Sequence, residues 1–134
     1  MQQQSDATEL LLHHYAYSCY NQGQWQKATF AFRQLVELFP TKGNYWYGLG
    51  ASSMLRGNDE DAAHAFQIAC MYQENDPRPY AHWAECSARL GRTDIAKTAI
   101  AHAEKMTQSE EFASFLGQVQ VIKERIVEVS YARH

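Results

Sequence analysis

The chain has 134 residues, 46% of them apolar, and 12 basic against 15 acidic side chains give a net charge of −3. That length suits one domain, and the interspersed charges exclude the basic stripe of a nucleic-acid-binding protein. No apolar run approaches the ~20 residues of a membrane span, and three cysteines, an odd number, make a poor disulfide framework.

In chain order, residues 1–8 read as a short lead. Met1-Gln2-Gln3-Gln4-Ser5-Asp6 lacks the basic and apolar regions of a signal peptide, so a cytoplasmic chain is expected. Helices are predicted over 9–22 and 25–38, the first ending at Gly23 and the second before Pro40. A third over 43–56 ends at Gly57, and a fourth covers 59–73. Asp76 and Pro77 read as the N-cap and first helical residue of a fifth helix, 77–90, which ends at Gly91. Pro79 still lies in its first turn, where a missing N–H costs little. A sixth helix covers 93–106. Beyond it, Phe112, Phe115, Leu116, Val119, Ile122, Ile126 and Val129 recur at helical spacing, with Lys123, Glu124, Arg125 and Glu128 mostly off that stripe.

The helices repeat with a period of 34 residues. Ala16, Gly50 and Ala84 form one column at this spacing; Ala28, Ala62 and Ala96 form another; Phe32, Phe66 and Ile100 a third. Large apolar columns precede them: Leu12, Trp46 and Tyr80, then Tyr15, Leu49 and Trp83. Small residues let two helices of one hairpin cross closely, and the larger ones fill the space between hairpins. This order resembles the tetratricopeptide repeat, a helix–turn–helix unit stacked into a solenoid. The resemblance implies an all-α, right-handed solenoid of three repeats (9–42, 43–76 and 77–110), with residues 111–134 as a C-terminal capping helix over its exposed end.

In such a solenoid the first helix of each repeat lines the concave face. The positions pointing into that groove are Leu10, His13, Tyr17, Tyr20 and Asn21 in the first copy. The second copy gives Asn44, Tyr47, Ala51, Met54 and Leu55. The third gives Arg78, Ala81, Glu85, Ala88 and Arg89, with His82 alongside. The groove is therefore aromatic and apolar at one end and charged at the other. Tyr17, Tyr20 and Tyr47 suit peptide recognition, being amphipathic anchors with few rotatable bonds. The same tyrosines also suit packing between neighbouring helices, and Glu85 with Arg78 or Arg89 suits an internal ion pair.

Catalytic and metal chemistry finds little support. His13 and His14 point in different directions, His64 and His102 fall on the convex side, and neither Cys-x-x-Cys nor His-Glu-x-x-His spacing appears. Cys86 and His82 are one helical turn apart, but no oxyanion-forming glycine turn accompanies them. Cys19 shares its column with Ser53 and Ser87, as a small buried thiol would. A non-enzymatic chain without cofactor or metal is expected.

Two uses of the repeat can be compared residue by residue. The carboxylate clamp for heat-shock chaperone C-termini needs Lys and Asn where this chain has His13 and Tyr17, and Asn where it has Gly48. Only Arg78 fits that pattern. By contrast, Asp76-Pro77-Arg78-Pro79-Tyr80-Ala81-His82-Trp83-Ala84-Glu85-Cys86, closing with Leu90-Gly91, resembles the third repeat of the class II chaperones of bacterial type III secretion. Gly48-Leu49-Gly50-Ala51 and Gly23-Gln24-Trp25-Gln26-Lys27-Ala28 are similar to the same family. Residues 12–105 carry the resemblance.

That family's proteins hold a short extended segment of a hydrophobic translocator in the concave groove before export. The resemblance implies the same for this chain, with a peptide-binding groove of His13, Tyr17, Tyr20, Asn44, Tyr47, Ala51, Met54, Arg78, Ala81, His82 and Glu85. Tyr17 and Tyr20 keep the family's aromatic character, whereas His13 departs from it. Family members also carry a longer helical lead that contributes to a homodimer, so monomer and dimer both stay open. A scaffold that joins proteins in an assembly, with no export client, is the alternative.

Overall fold

Three glycines set the frame of the chain. Gly23, Gly57 and Gly91 have φ of 75°, 83° and 79°, the left-handed region that glycine adopts without a Cβ penalty. Their amides donate to Tyr20, Met54 and Ala88 carbonyls at 3.1, 3.0 and 3.0 Å, so each preceding helix stops and the chain reverses. A computed structural model describes residues 2–132. They form α1 (Gln2–Asn21), α2 (Trp25–Leu38), α3 (Gly43–Leu55), α4 (Asp59–Tyr72), α5 (Pro77–Arg89), α6 (Thr93–Met106) and α7 (Leu116–Ala132), with a 3-10 helix over Glu110–Phe115. Asp76 caps α5 as expected, its carboxylate accepting from the Arg78 amide at 3.0 Å.

Each helix packs on its neighbours in the chain, and α7 packs on both α5 and α6, giving an all-α solenoid covered at one end by α7. No helix among the described residues is long and apolar enough to cross a membrane.

The ends of α2 to α6 fall within one residue of the expected ones. Two elements differ. Helix α1 starts at Gln2 rather than residue 9, because glutamine favours helix without contributing to an apolar period. At the other end, the first part of the apolar stripe is a 3-10 helix, and the α-helix begins only at Leu116. Phe115, Val119, Ile122 and Ile126 of that stripe are buried with Ala99, Ile100 and Ala103 of α6.

The small columns sit where the helices cross. Ala16, Ala28, Ala62, Ala84 and Ala96 have no exposed surface, nor do Phe32 and Phe66. Burying one such phenylalanine contributes about 2–3 kcal/mol. Both rings lie against glycine. A Cβ on Gly48 would come within 2.3 Å of Phe32, and one on Gly50 within 2.8 Å of Phe66. Glycine at these two positions lets the α2 and α4 rings reach the α3 backbone.

Candidate functional site

The first helix of each hairpin carries the residues expected to line the groove. On α1, the Tyr17 ring stands edge-on to Phe32 at 5.1 Å, and His13 lies against Tyr17 at 4.6 Å. Tyr20 meets Trp25 edge-on at 5.3 Å and touches the core on both sides of α3. Each tyrosine thus has one face in the core and part of its surface open. Burial raises the Tyr17 pKa, partly offset by the Asn44 side chain beside it. Asn44 itself is exposed.

On α3, Tyr47 lies 5.5 Å from Phe66 and 5.9 Å from His82. Burial is the main cause that pushes its phenol up to about 12, so it remains an O–H donor at any physiological pH. Ala51 is buried with Phe66, and Met54 packs against the same cluster. Tyr20, Tyr47 and Met54 thus pack on one cluster around Phe66 and Cys86.

The third repeat departs from the groove expected. Ala81 has no exposed surface and shares a buried cluster with Phe115, Val119 and Ile122. Helix α7 therefore covers part of the α5 face that the repeat register alone would leave open. Glu85 is buried as well; it pairs with Arg89 at 3.3 Å and with Arg125 of α7 at 2.7 Å, while Arg89 reaches Asp59 at 3.0 Å. Of the internal pairs open to Glu85, that with Arg89 forms. Arg78 instead forks onto Asp76, at 2.6 and 2.9 Å.

His82 sits among three rings, with Phe66 at 5.4 Å, Tyr47 at 5.9 Å and Phe115 at 6.4 Å. Its Nδ1 is buried without a hydrogen-bond partner. Burial lowers its pKa; Glu85 opposes the shift while Arg78 and Arg89 add to it, and the net effect is downward, so the ring is neutral near pH 7. A cleft of about 490 Å³ opens beside it between α5 and α7, lined by Glu85, Gln118 and Arg125 among others.

Of the expected positions, His13 lies against Tyr17, Tyr17 stands beside Asn44, and Tyr20, Tyr47 and Met54 pack on one cluster, whereas Ala51 and Ala81 are buried in the core. Sequence reasoning missed Tyr45, which is buried behind His13. Its hydroxyl donates to Glu9 at 2.7 Å, and Lys42 pairs with the same carboxylate. It also missed Gln118 and Arg125, since α7 lies outside the repeat and its register gives no groove positions. The 34-residue spacing carries no signal for either.

Cys86 is fully buried, and burial pushes its thiol up to about 12. Among the described residues, no group of three or more His, Cys, Asp or Glu is placed to hold a metal ion. What the wall provides is apolar surface interrupted by phenolic hydroxyls and an amide, which suits an extended polypeptide.

Models of the tetratricopeptide repeat match residues 10–42 and 44–76. The fold is similar to SycD, the type III secretion chaperone of Yersinia enterocolitica, solved in complex with a peptide of the translocator YopD. The two are 25% identical over 90% of this chain and 92% of that one, with a TM-score of 0.81. It is also similar to PcrH, a protein of Pseudomonas aeruginosa. With PcrH bound to the chaperone binding region of PopB, the identity is 25% over 87% of this chain and 94% of that one, at a TM-score of 0.79. With PcrH bound to that of PopD, the TM-score is 0.84 at 24% identity over 92% and 93%.

Proposed function

Since this chain is a tetratricopeptide-repeat protein resembling the class II chaperones of type III secretion, we propose that it holds an extended segment of a hydrophobic translocator-like protein in its concave groove. The segment's apolar side chains fill the spaces along Tyr17, Tyr20, Tyr47, Ala51 and Met54. A polypeptide that would otherwise aggregate is thereby kept soluble in the bacterial cytoplasm until export. No bond is made or broken, so the protein is a binding module and not an enzyme.

The observation that carries this reading is the similarity over most of the chain to SycD, solved with a peptide of the translocator YopD, and to PcrH, solved with the chaperone binding region of PopB. Physical chemistry supports it independently. Tyr17 and Tyr47 are each anchored edge-on to a fully buried phenylalanine, so little rotamer entropy remains to be lost on binding. The neutral His82 and the ion-paired Glu85 leave few unsatisfied charges for an apolar segment to bury.

The test is capture of co-expressed cargo, identified beforehand by mass spectrometry of what co-purifies from the native host. Tyr17→Ala with Tyr20→Ala is expected to weaken capture by at least about 30-fold, the loss of a single hot-spot anchor. Asn44→Lys, at an exposed position of the same wall, alters the groove without touching the core. Undiminished capture by both folded variants overturns the groove assignment.

A further inference from the structure

The outer face of the solenoid carries a second cleft, away from the groove. Two adjoining hollows of about 460 and 660 Å³ lie between α4 and α6, sharing Gln67, Tyr80, Trp83 and His102. Tyr80 and Trp83 belong to α5. Trp83 lies two residues from Glu85, or about 200° around the helix, so it leaves on the opposite side.

The repeat register explains why the cleft is open. Between α2 and α4 the corresponding space is bridged by Arg33 and Asp61 at 2.9 Å. One period later the equivalent residues are Gln67 and Ile95, which form no ion pair, and both line the hollow. The aromatic floor is consequently uncovered. Tyr80 stacks on His102 at 4.3 Å, and Ile95 and Met71 at the rim are 42% and 64% exposed.

Charge distinguishes the occupant. Asp94 lines one hollow and Glu74 the other, and neither hollow is lined by a lysine or arginine. Among the described residues neither carboxylate forms an ion pair. Two carboxylates without ion-pair partners beside the half-buried Tyr80 and Trp83 rings suit a cation with an aliphatic stem, which lays the stem on the rings and its head between the acids.

We propose that the α4–α6 cleft is a second docking site, taking a basic, aliphatic segment of another protein. An arginine or lysine of that segment lies across Tyr80 and Trp83 and pairs with Glu74 or Asp94, and flanking aliphatic residues cover Ile95 and Met71. Because the two faces are opposite, this site and the groove can be filled together.

The test titrates the acetylated, amidated peptide Leu-Arg-Leu-Arg-Leu into the full chain, following backbone amide resonances by NMR. Shifts are expected at Gln67, Trp83, Asp94 and Ile95, with binding weakened about tenfold by Glu74→Gln with Asp94→Asn. Gln67→Arg with Ile95→Asp rebuilds the bridge found one repeat earlier and is expected to block the peptide while the fold, followed by circular dichroism, is kept. Leu-Glu-Leu-Glu-Leu is expected not to bind. Shifts confined to the groove wall, equal binding of the acidic peptide, or full affinity in both double variants overturns the proposal.

Discussion

Replacing Gly48 by alanine tests how the core and the groove wall are joined. In an exposed helix interior this change stabilises, by about 1 kcal/mol. Here the added Cβ would meet Phe32 Cε1, Cζ and Cδ1 at 2.3, 2.5 and 2.7 Å. Ordinary carbon–carbon contact needs about 3.5–4.0 Å, so the ring edge must retreat by more than about 1 Å. Phe32 has no exposed surface, and Tyr17 stands edge-on against it, so the ring has nowhere free to go. Overpacking of this kind costs about 3 kcal/mol, at the upper end of the usual range. The net loss is therefore about 2 kcal/mol, or about 8 °C in Tm for a chain of this size. Thermal unfolding followed at 222 nm reads the shift. Phe32→Leu in the Gly48→Ala background should recover part of the loss, because the two sites are in contact and not additive. Gly57→Ala is the control: its φ is 83° with nothing within 4 Å, so only backbone strain of about 1 kcal/mol applies. A Gly48→Ala protein as stable as the parent, or additive with Phe32→Leu, refutes the reasoning.

Stability should fall as the pH drops below the ordinary histidine value near 6.5, with His82 as one cause. Its folded-state pKa is lowered, so the unfolded chain takes up the proton first; stability is full above about 6.5 and is lost as pH falls towards the lowered value. His82→Gln is expected to flatten the Tm profile between pH 7.5 and 5.5, and an unchanged slope contradicts the assignment. Cys19, Cys70 and Cys86 are all buried, and burial pushes Cys70 and Cys86 up to about 12. A colorimetric disulfide reagent should therefore label the native protein slowly and the denatured protein at once; a fast native phase at Cys86 would revive a thiol chemistry. Arg125→Ala removes the ion pair that ties α7 to Glu85. Since Arg125 is largely exposed, the cost should be about 1 kcal/mol, with faster amide exchange confined to α7.

The repeat register was legible because its columns are steric requirements. Ala28, Ala62 and Ala96 occupy three equivalent crossings and are fully buried in all three. Gly23, Gly57 and Gly91 stand at three equivalent helix ends, each with positive φ. Registers of this kind fix helix ends to within a residue. They do not say why Gly50 stands where Ala16 and Ala84 suffice; only the Phe66 ring, 2.8 Å from a Cβ there, does. Nor do they reach beyond the repeats. Ala81 occupies a groove position by spacing and a core position in space, because α7 lies over it. The start of α1 was missed for a simpler reason: Gln2-Gln3-Gln4 has no apolar residue to mark a period.

Gly48 also bears on which peptide the groove accepts. A carboxylate clamp needs an asparagine side chain at this position, and the Phe32 ring fills the space where its Cβ would begin. The ring in turn holds Tyr17, and His13 lies against Tyr17, so both first-repeat clamp positions carry rings packed on an apolar core. Under the proposed function, one glycine-to-ring contact stands where a terminal-carboxylate site would need an asparagine side chain. If so, Gly48→Asn should not create affinity for a peptide ending in a free carboxylate. It should destabilise the first two repeats and lower cargo capture together, since the wall and the core are the same residues. Carboxylate binding by a folded Gly48→Asn protein would show that the two walls are interchangeable, and that the Phe32 contact does not decide between them.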